Sequence, residues 1–191
     1  MKRLVIALIS LSIALAALAE DGPKDGVLMI IRHAEKPASG PLLTVRGEQR
    51  ALAYVRYFRK LTVDSKPLLP DAIFAAADSE ESKRPRLTVE PLAKAIGLQI
   101  DTRFNDKRIR ELTGELRASQ QGRRVLICWR HGGMPDLLRA LGADPEKILP
   151  DGKWPSQVFD WVIQLSYDHE GRLMPAGARR LSGPAMPDDS R

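Results

Sequence analysis

Two Arg-His pairs occupy the same sequence context, each after a short apolar run. Arg32 and His33 follow the run Val27–Ile31, and His131 follows the run Val125–Cys128 after two intervening residues. Such runs, short and continuous, are typical of buried parallel strands. The carboxyl ends of parallel strands meet at one edge of a sheet, where ligands bind in α/β folds. We therefore expect both histidines to lie in one crevice.

A third apolar run, Ala72–Ala76, is followed by a short polar segment that ends at Arg84. This arginine is predicted to reach the same edge of the sheet. Guanidinium groups match phosphate oxygens bidentately, and a protonated imidazole can also donate to them. Two arginines, Arg32 and Arg84, and two histidines around one point would make a site for a dianion. The residue types therefore favour a phosphoryl group as the ligand.

Arg130 is expected to point away from the crevice and to pair with an acid.

The elements that must position these residues are strands separated by helices. A fourth run, Phe159–Leu165, alternates partly and is predicted to lie nearer an edge of the sheet. The chain also carries three helical patterns: one from the N-cap Thr44 to a break near residues 65–67, one around Thr88–Ile96, and one after Pro135 that stops at Gly142. Alternating strands and helices predict an α/β fold, a three-layer α/β/α sandwich with a mainly parallel central sheet.

Four segments resemble motifs of the histidine phosphatase superfamily, which also contains the cofactor-dependent phosphoglycerate mutases. They lie in the family's order between residues 27 and 142. The segments are Arg32-His33-Ala34-Glu35, Leu43-Thr44-Val45-Arg46-Gly47-Glu48-Gln49, Arg84-Pro85-Arg86-Leu87-Thr88 and His131-Gly132-Gly133.

The resemblance implies a role for each matching residue. His33 would be the nucleophile that becomes a phosphohistidine, Arg32 and Arg84 would hold the phosphoryl oxygens, and His131 would donate to them. No metal and no cofactor is required. The implied activity is the hydrolysis of phosphomonoesters, with a small phosphorylated compound as substrate. A protein of the same fold that binds phosphate without turnover is the alternative.

The general acid is a separate question. Many family members use a glutamate in an Arg-Glu-x-x-x-Gly stretch, and residues 110–114 resemble it with one residue missing, which points to Glu111. Asp136, near the predicted helix start after His131, is the alternative.

Two departures from the family concern substrate binding. Lys36 stands where acid phosphatases have an arginine, and it could contact phosphate as a point charge or simply be solvated. Ser39 replaces the asparagine of the mutase branch, so mutase activity loses support. We predict both residues as substrate-binding.

The first 19 residues read as a secretory signal: a basic start, an apolar run, and Ala17-Leu18-Ala19 as the cleavage pattern. The apolar run is shorter than the roughly 20 residues of a spanning helix, so we expect no stable membrane anchor and a periplasmic or secreted protein. Residues 20–181 would form one domain, and residues 182–191 a flexible tail.

Composition narrows the possible partners. Removing Lys2 and Arg3 with the signal lowers the net charge from +6 to +4, and aromatic residues make up only 5% of the chain. A nucleic-acid binder would need a clustered basic stripe and stacking aromatics, and neither is present. The spacing His-x-x-x-His and the spacing Cys-x-x-Cys are also missing, which disfavours a metal site.

Overall fold

The computed structural model describes residues 21–187 and residue 189. The predicted signal segment, residues 1–19, lies outside these described residues. Within them, no helix is both long and apolar enough to cross a membrane.

A six-stranded sheet forms the centre of the fold, and two further strands make a separate small hairpin. The strands are β1 (Val27–Arg32), β2 (Thr62–Val63), β3 (Lys66–Pro67), β4 (Ala72–Ala75), β5 (Ile100–Asp101), β6 (Arg124–Trp129), β7 (Trp161–Ser166) and β8 (Arg179–Ser182). The order in the sheet is β5-β4-β6-β1-β7-β8, and β2 and β3 form the hairpin. The pairs β5-β4, β4-β6 and β6-β1 are parallel, whereas β7 pairs antiparallel with both β1 and β8. The sheet is therefore mainly parallel, as predicted.

Helices cover both faces of this sheet. They are α1 (Val45–Lys60), α2 (Arg84–Ile96), α3 (Ile109–Ser119), α4 (Met134–Ala140) and α5 (Pro145–Ile148). Successive residues of β1 point to opposite faces, as the pleat of a strand requires. Leu28 and Ile30 pack in the core beneath α3, α4 and α5, while Met29 and Ile31 pack in the core beneath α1 and α2. The predicted three-layer α/β/α sandwich is confirmed.

The carboxyl ends of β1, β4 and β6 lie level with one another. Arg32 is in register with Trp129, and Ala75 is in register with Cys128. The backbone N–H of His33 donates to the carbonyl of Trp129 at 3.0 Å, which extends the ladder one residue past β1. Residues that follow these three strands are therefore delivered to the same edge of the sheet.

The elements agree with the sequence prediction in part. Thr44 caps α1 as predicted, and its hydroxyl accepts from the backbone N–H of Gly47 at 3.0 Å. α1 ends at Lys60, and the β2–β3 hairpin follows it. α3, β5 and β8 were not predicted. β8 pairs with the outer side of β7, so β7 is the second strand from that edge.

The tail, residues 182–191, is predicted to be flexible, but its described residues contact α1. The carbonyl of Pro184 accepts from Arg50 Nη1 at 2.9 Å, and the Asp189 carboxylate accepts from both Arg46 and Arg50. The described part of the tail is thus held by two arginine side chains.

Candidate active site

The rings of His33 and His131 face each other at the carboxyl edge of the sheet. Their centroids are 5.9 Å apart, and the ring planes meet at 73°. His33 is 3% exposed, and His131 is half-buried. This separation lets one tetrahedral oxyanion contact both rings. The structure therefore brings the two predicted histidines together.

The His33 ring is oriented by its own backbone neighbour. Nδ1 lies 2.7 Å from the carbonyl oxygen of Ala34. A carbonyl can only accept, so Nδ1 carries the proton and Nε2 carries the lone pair. Burial lowers the pKa of His33 to about 3, and the charges of Arg32 and Arg84 act in the same direction, against the hydrogen bond to Ala34. At neutral pH the ring is therefore uncharged, with Nε2 able to act as a nucleophile.

Thr88 fastens the segment that follows His33. Its buried hydroxyl accepts from the backbone N–H of Ala34 at 2.9 Å and donates to the carbonyl of Arg84 at 2.8 Å. The His33-Ala34 segment is thus tied to the first turn of α2. A threonine four residues after Arg84 can therefore bond to the Arg84 carbonyl within the helix and to the Ala34 N–H outside it.

Arg32 is 2% exposed and is held by an aromatic ring and by loop carbonyls. Its guanidinium carbon stands 4.0 Å above the ring of Phe159. Nη1 lies 2.9–3.0 Å from three carbonyl oxygens, those of Pro155, Ser156 and Val158. Nε is buried and has no hydrogen-bond partner among the described residues. Burial lowers the pKa of Arg32 to about 10, so the group stays charged at neutral pH.

Arg84 is the first residue of α2 and is half-buried. Its Nη1 donates to the carbonyl of Gly40 at 2.7 Å, while its Nε is buried and unpaired within the described chain. Burial, and next the charge of Arg130, lower the pKa of Arg84. Arg84 in turn contributes to the lowered pKa of both histidines, which places its charge close to both rings.

His131 presents an unsatisfied nitrogen. Its Nδ1 is buried and, in the part of the chain that the structure describes, has no partner. Burial lowers the pKa of His131, followed by the charges of Arg32, Lys36 and Arg84. Lys36 is exposed yet close enough to act on this ring, and Ser39 is exposed farther along the same loop. Substrate binding by these two residues stays a prediction.

Asp106 and Arg130 flank the turn that carries His131. Arg130 pairs with Asp106 at 3.5 Å and donates to the carbonyl of Ala77 at 2.9 Å. Pairing with an acid is as predicted, but Arg130 also lowers the pKa of Arg84, so its charge is felt at the site. Oδ1 of Asp106 lies 2.6 Å from the position a Cβ would take on Gly133. The sequence analysis missed Asp106 because β5, the strand before it, is only two residues long.

Neither predicted general acid contacts the group formed by Arg32, His33, Arg84 and His131. Glu111 lies on α3 with a side chain that is 54% exposed, and it accepts from Arg108 Nε at 2.9 Å. That hydrogen bond lowers its pKa, whereas a general acid at neutral pH needs a raised one. Asp136 is 74% exposed and pairs with Arg139 at 3.3 Å. The geometry gives no support to Glu111 or to Asp136 in this role.

A metal site is also without support in residues 21–187 and 189. No group of three or more histidine, cysteine, aspartate or glutamate side chains there could hold an ion.

Comparison with solved structures defines the fold class. No model of a known protein family matches the chain, and no curated protein sequence matches it either. A protein from Escherichia coli described as an alpha-ribazole-5′-P phosphatase is similar, with a TM-score of 0.58, 15% identity, and coverage of 85% of this chain and 98% of the other. The chain thus has the fold of the histidine phosphatase superfamily.

Two further structures share this fold. Phosphoserine phosphatase from Entamoeba histolytica, in complex with 3-phosphoglyceric acid, has a TM-score of 0.54 at 12% identity, covering 80% of this chain and 96% of its own. Phosphoglycerate mutase from Plasmodium falciparum has a TM-score of 0.54 at 14% identity, and the match covers 87% of this chain and 96% of the mutase. At these identities the likeness establishes the fold alone.

The buried neutral state of His33 predicts a pH dependence of stability. Its pKa in the folded chain, about 3, is below the ordinary value of 6.5, so the unfolded chain binds the extra proton first. The free energy of unfolding should therefore fall as pH decreases from about 6.5 to about 3. His33→Gln should lose less stability across that window. Urea unfolding of both proteins at several pH values measures this, and equal losses would contradict it.

Proposed function

We propose that this protein is a phosphatase that hydrolyses phosphomonoesters through a phosphohistidine on His33. One observation carries the proposal: at the edge of the sheet where the rings of His33 and His131 meet, Arg32 Nε, Arg84 Nε and His131 Nδ1 are buried and have no hydrogen-bond partner among the described residues. Leaving a buried donor unpaired costs about 1–3 kcal/mol. A phosphoryl group would supply acceptor oxygens to such donors.

The chemistry proceeds in two steps. His33 Nε2 attacks phosphorus with its lone pair, the bond from phosphorus to the ester oxygen breaks, and a general acid protonates the departing alcohol. Water then attacks the phosphorus, the phosphorus–nitrogen bond breaks, and the electron pair returns to Nε2. The acid's conjugate base takes the proton that water loses. The proton stays on Nδ1, hydrogen-bonded to the Ala34 carbonyl, so the ring offers the same nitrogen in each turnover.

Positive charge would provide most of the acceleration of phosphoryl transfer. Phosphoryl transfer depends on positioning and on neutralising the charge of the oxygens more than on covalent rearrangement. Arg32 and Arg84 provide that charge beside the two rings. A bound dianion would also offset the cations that lower the pKa of His131. His131 would then bind a proton more readily and donate it to a phosphoryl oxygen.

The substrate we propose is a small phosphorylated compound. The names of two proteins of the same fold, an alpha-ribazole-5′-P phosphatase and a phosphoserine phosphatase, refer to phosphomonoesters of low mass. Lys36 would add a cation at the rim of the crevice, where the alcohol part of the ester would lie.

We also propose that the protein is exported, on the basis of the signal pattern in residues 1–19. Removal of that segment leaves a chain that starts at Glu20. Mass spectrometry of material from the periplasm of an expressing bacterium should find this amino terminus. Exported protein that keeps Met1 would contradict the cleavage.

The nucleophile is tested by His33→Ala. This variant should lose hydrolysis of every phosphomonoester in a panel, because no phosphorus–nitrogen bond can form. Phosphorus NMR of the wild type, denatured in alkali during turnover, should show a phosphohistidine that the variant lacks. His169→Ala, which changes a side chain that is 77% exposed, is the matched control and should keep full activity. A wild type that binds phosphate but hydrolyses no ester would instead be the binding protein of the alternative hypothesis.

The general acid can be found by comparing two leaving groups. Replacing the acid should slow His33 phosphorylation by an alkyl phosphate by roughly 10²–10⁴, as is typical of general acid catalysis. It should slow the reaction of nitrophenyl phosphate far less, because nitrophenolate leaves without a proton. Single-turnover rates of Glu111→Gln, Asp136→Asn and Asp106→Asn on both esters measure this. Asp106 is included because its carboxylate lies against the His131 turn. A variant that slows both esters equally does not lack the acid.

A further inference from the structure

A buried ion cluster begins two residues after His33. Its members are two acids and two arginines: Glu35, Asp189, Arg46 and Arg50. Arg50 Nη2 lies 2.6 Å from Glu35 Oε1 and 2.5 Å from Asp189 Oδ1. Arg46 contacts the same two carboxylates, at 3.2 Å and 2.9 Å. The cluster therefore joins the active-site loop, α1 and the carboxyl-terminal tail.

Its charges balance only when Asp189 is present. Arg50 is 0% exposed, and an uncompensated buried charge is strongly unfavourable. Glu35 alone would leave one excess positive charge between the two arginines. Burial would raise the pKa of Asp189, but hydrogen bonds from Arg50 and from the backbone N–H of Met186 hold it at about 2. Asp189 is therefore ionised at neutral pH and completes the neutral cluster.

The cluster reaches His33 through one peptide group. The Ala34 carbonyl, which accepts from His33 Nδ1, belongs to the peptide that links Ala34 to Glu35. Thr88 fixes this segment on one side by accepting from the Ala34 N–H. On the other side the Glu35 side chain is fixed by Arg50. Rotation of that peptide would break the bond that holds the ring.

A second contact points the same way. The guanidinium carbon of Arg50 lies 5.7 Å from the centre of the Phe159 ring, and that of Arg32 lies 4.0 Å from the centre of the same ring. Displacing Arg50 would therefore disturb the support of a proposed phosphate-binding arginine as well as the loop of the nucleophile.

We propose that Asp189 is a positioning residue for His33: by neutralising Arg50 it fixes Glu35, and through the Ala34 carbonyl it keeps Nε2 of His33 as the free nitrogen. This inference rests on the proposed role of His33 as nucleophile. Asp189 does not touch the substrate in this account. Its effect is on the orientation and tautomer of the ring.

The test removes the negative charge of residue 189 while keeping the shape of its side chain. Asp189→Asn removes the charge, Asp189→Glu restores it, and Asp64→Asn is the matched control, since it breaks a pair with Arg179 in which the Asp64 side chain is 68% exposed. Three quantities are measured in each protein: the single-turnover rate of His33 phosphorylation by nitrophenyl phosphate, the Kd of inorganic phosphate, and the ¹⁵N shifts of the His33 ring, which report the tautomer. Thermal unfolding shows whether each variant is folded.

Asp189→Asn should phosphorylate His33 about 10- to 100-fold more slowly, as expected when a reacting group is displaced by about an ångström. Its phosphate Kd should change by no more than about threefold, because Arg84 and His131 lie outside the cluster and Arg32 keeps its bonds to three loop carbonyls. The loss therefore falls mainly on the rate rather than on binding. The His33 ring should become a mixture of tautomers. Asp189→Glu should recover most of the rate, and Asp64→Asn should match the wild type.

A wild-type rate and a wild-type tautomer in folded Asp189→Asn would overturn the proposal. If Asp189→Asn does not fold, Glu35→Gln decides the question, because it removes the carboxylate through which Arg50 holds the peptide after His33 and leaves Arg50 paired with Asp189. It should slow His33 phosphorylation and give the same mixture of tautomers, and no change in either would again overturn the proposal. The ring shifts are informative even in a chain that hydrolyses no ester, so failure of the phosphatase function is seen separately.

Discussion

The hydrogen bond from His33 Nδ1 to the Ala34 carbonyl is the constraint on which the site depends. Without it the ring could present either nitrogen to the crevice. The bond exists because the peptide after His33 is held from two directions, by Thr88 on α2 and by Arg50 on α1. Both helices cover the same face of the sheet. That layer therefore orients the candidate nucleophile as well as forming part of the core.

The second constraint is the accumulation of positive charge. Arg32, Arg84 and Lys36 all act on His131, and burial adds to their effect. Such an arrangement costs stability because like charges repel, even though the neutral imidazoles add no charge of their own. A dianion relieves the repulsion. The repulsion that lowers the stability of the protein would thus strengthen its binding of an anion, and such local costs to stability are common at functional sites.

Much of the fold could be predicted because its signals are local. Apolar runs marked β1, β4 and β6, and their parallel alignment followed from the helices between them. Two-residue β5 carries no such pattern, and α3 was overlooked although its buried side chains, Ile109, Leu112 and Leu116, recur at helical spacing. For the site, residue types and order indicated which groups converge. The neutral state of His33, the bonds of Arg32 to loop carbonyls and the tail cluster could not be predicted, because each depends on burial or on partners more than 100 residues away.

The unequal burial of the two histidines has a consequence for what can enter the crevice. His33 is almost fully enclosed, while His131 is partly open to solvent. In-line displacement places the departing oxygen on the side of phosphorus opposite the attacking nitrogen. The attack proposed for His33 would therefore direct the alcohol outward, toward bulk water. In that arrangement the residues that bury His33 would surround the phosphoryl group and would not limit the size of the alcohol.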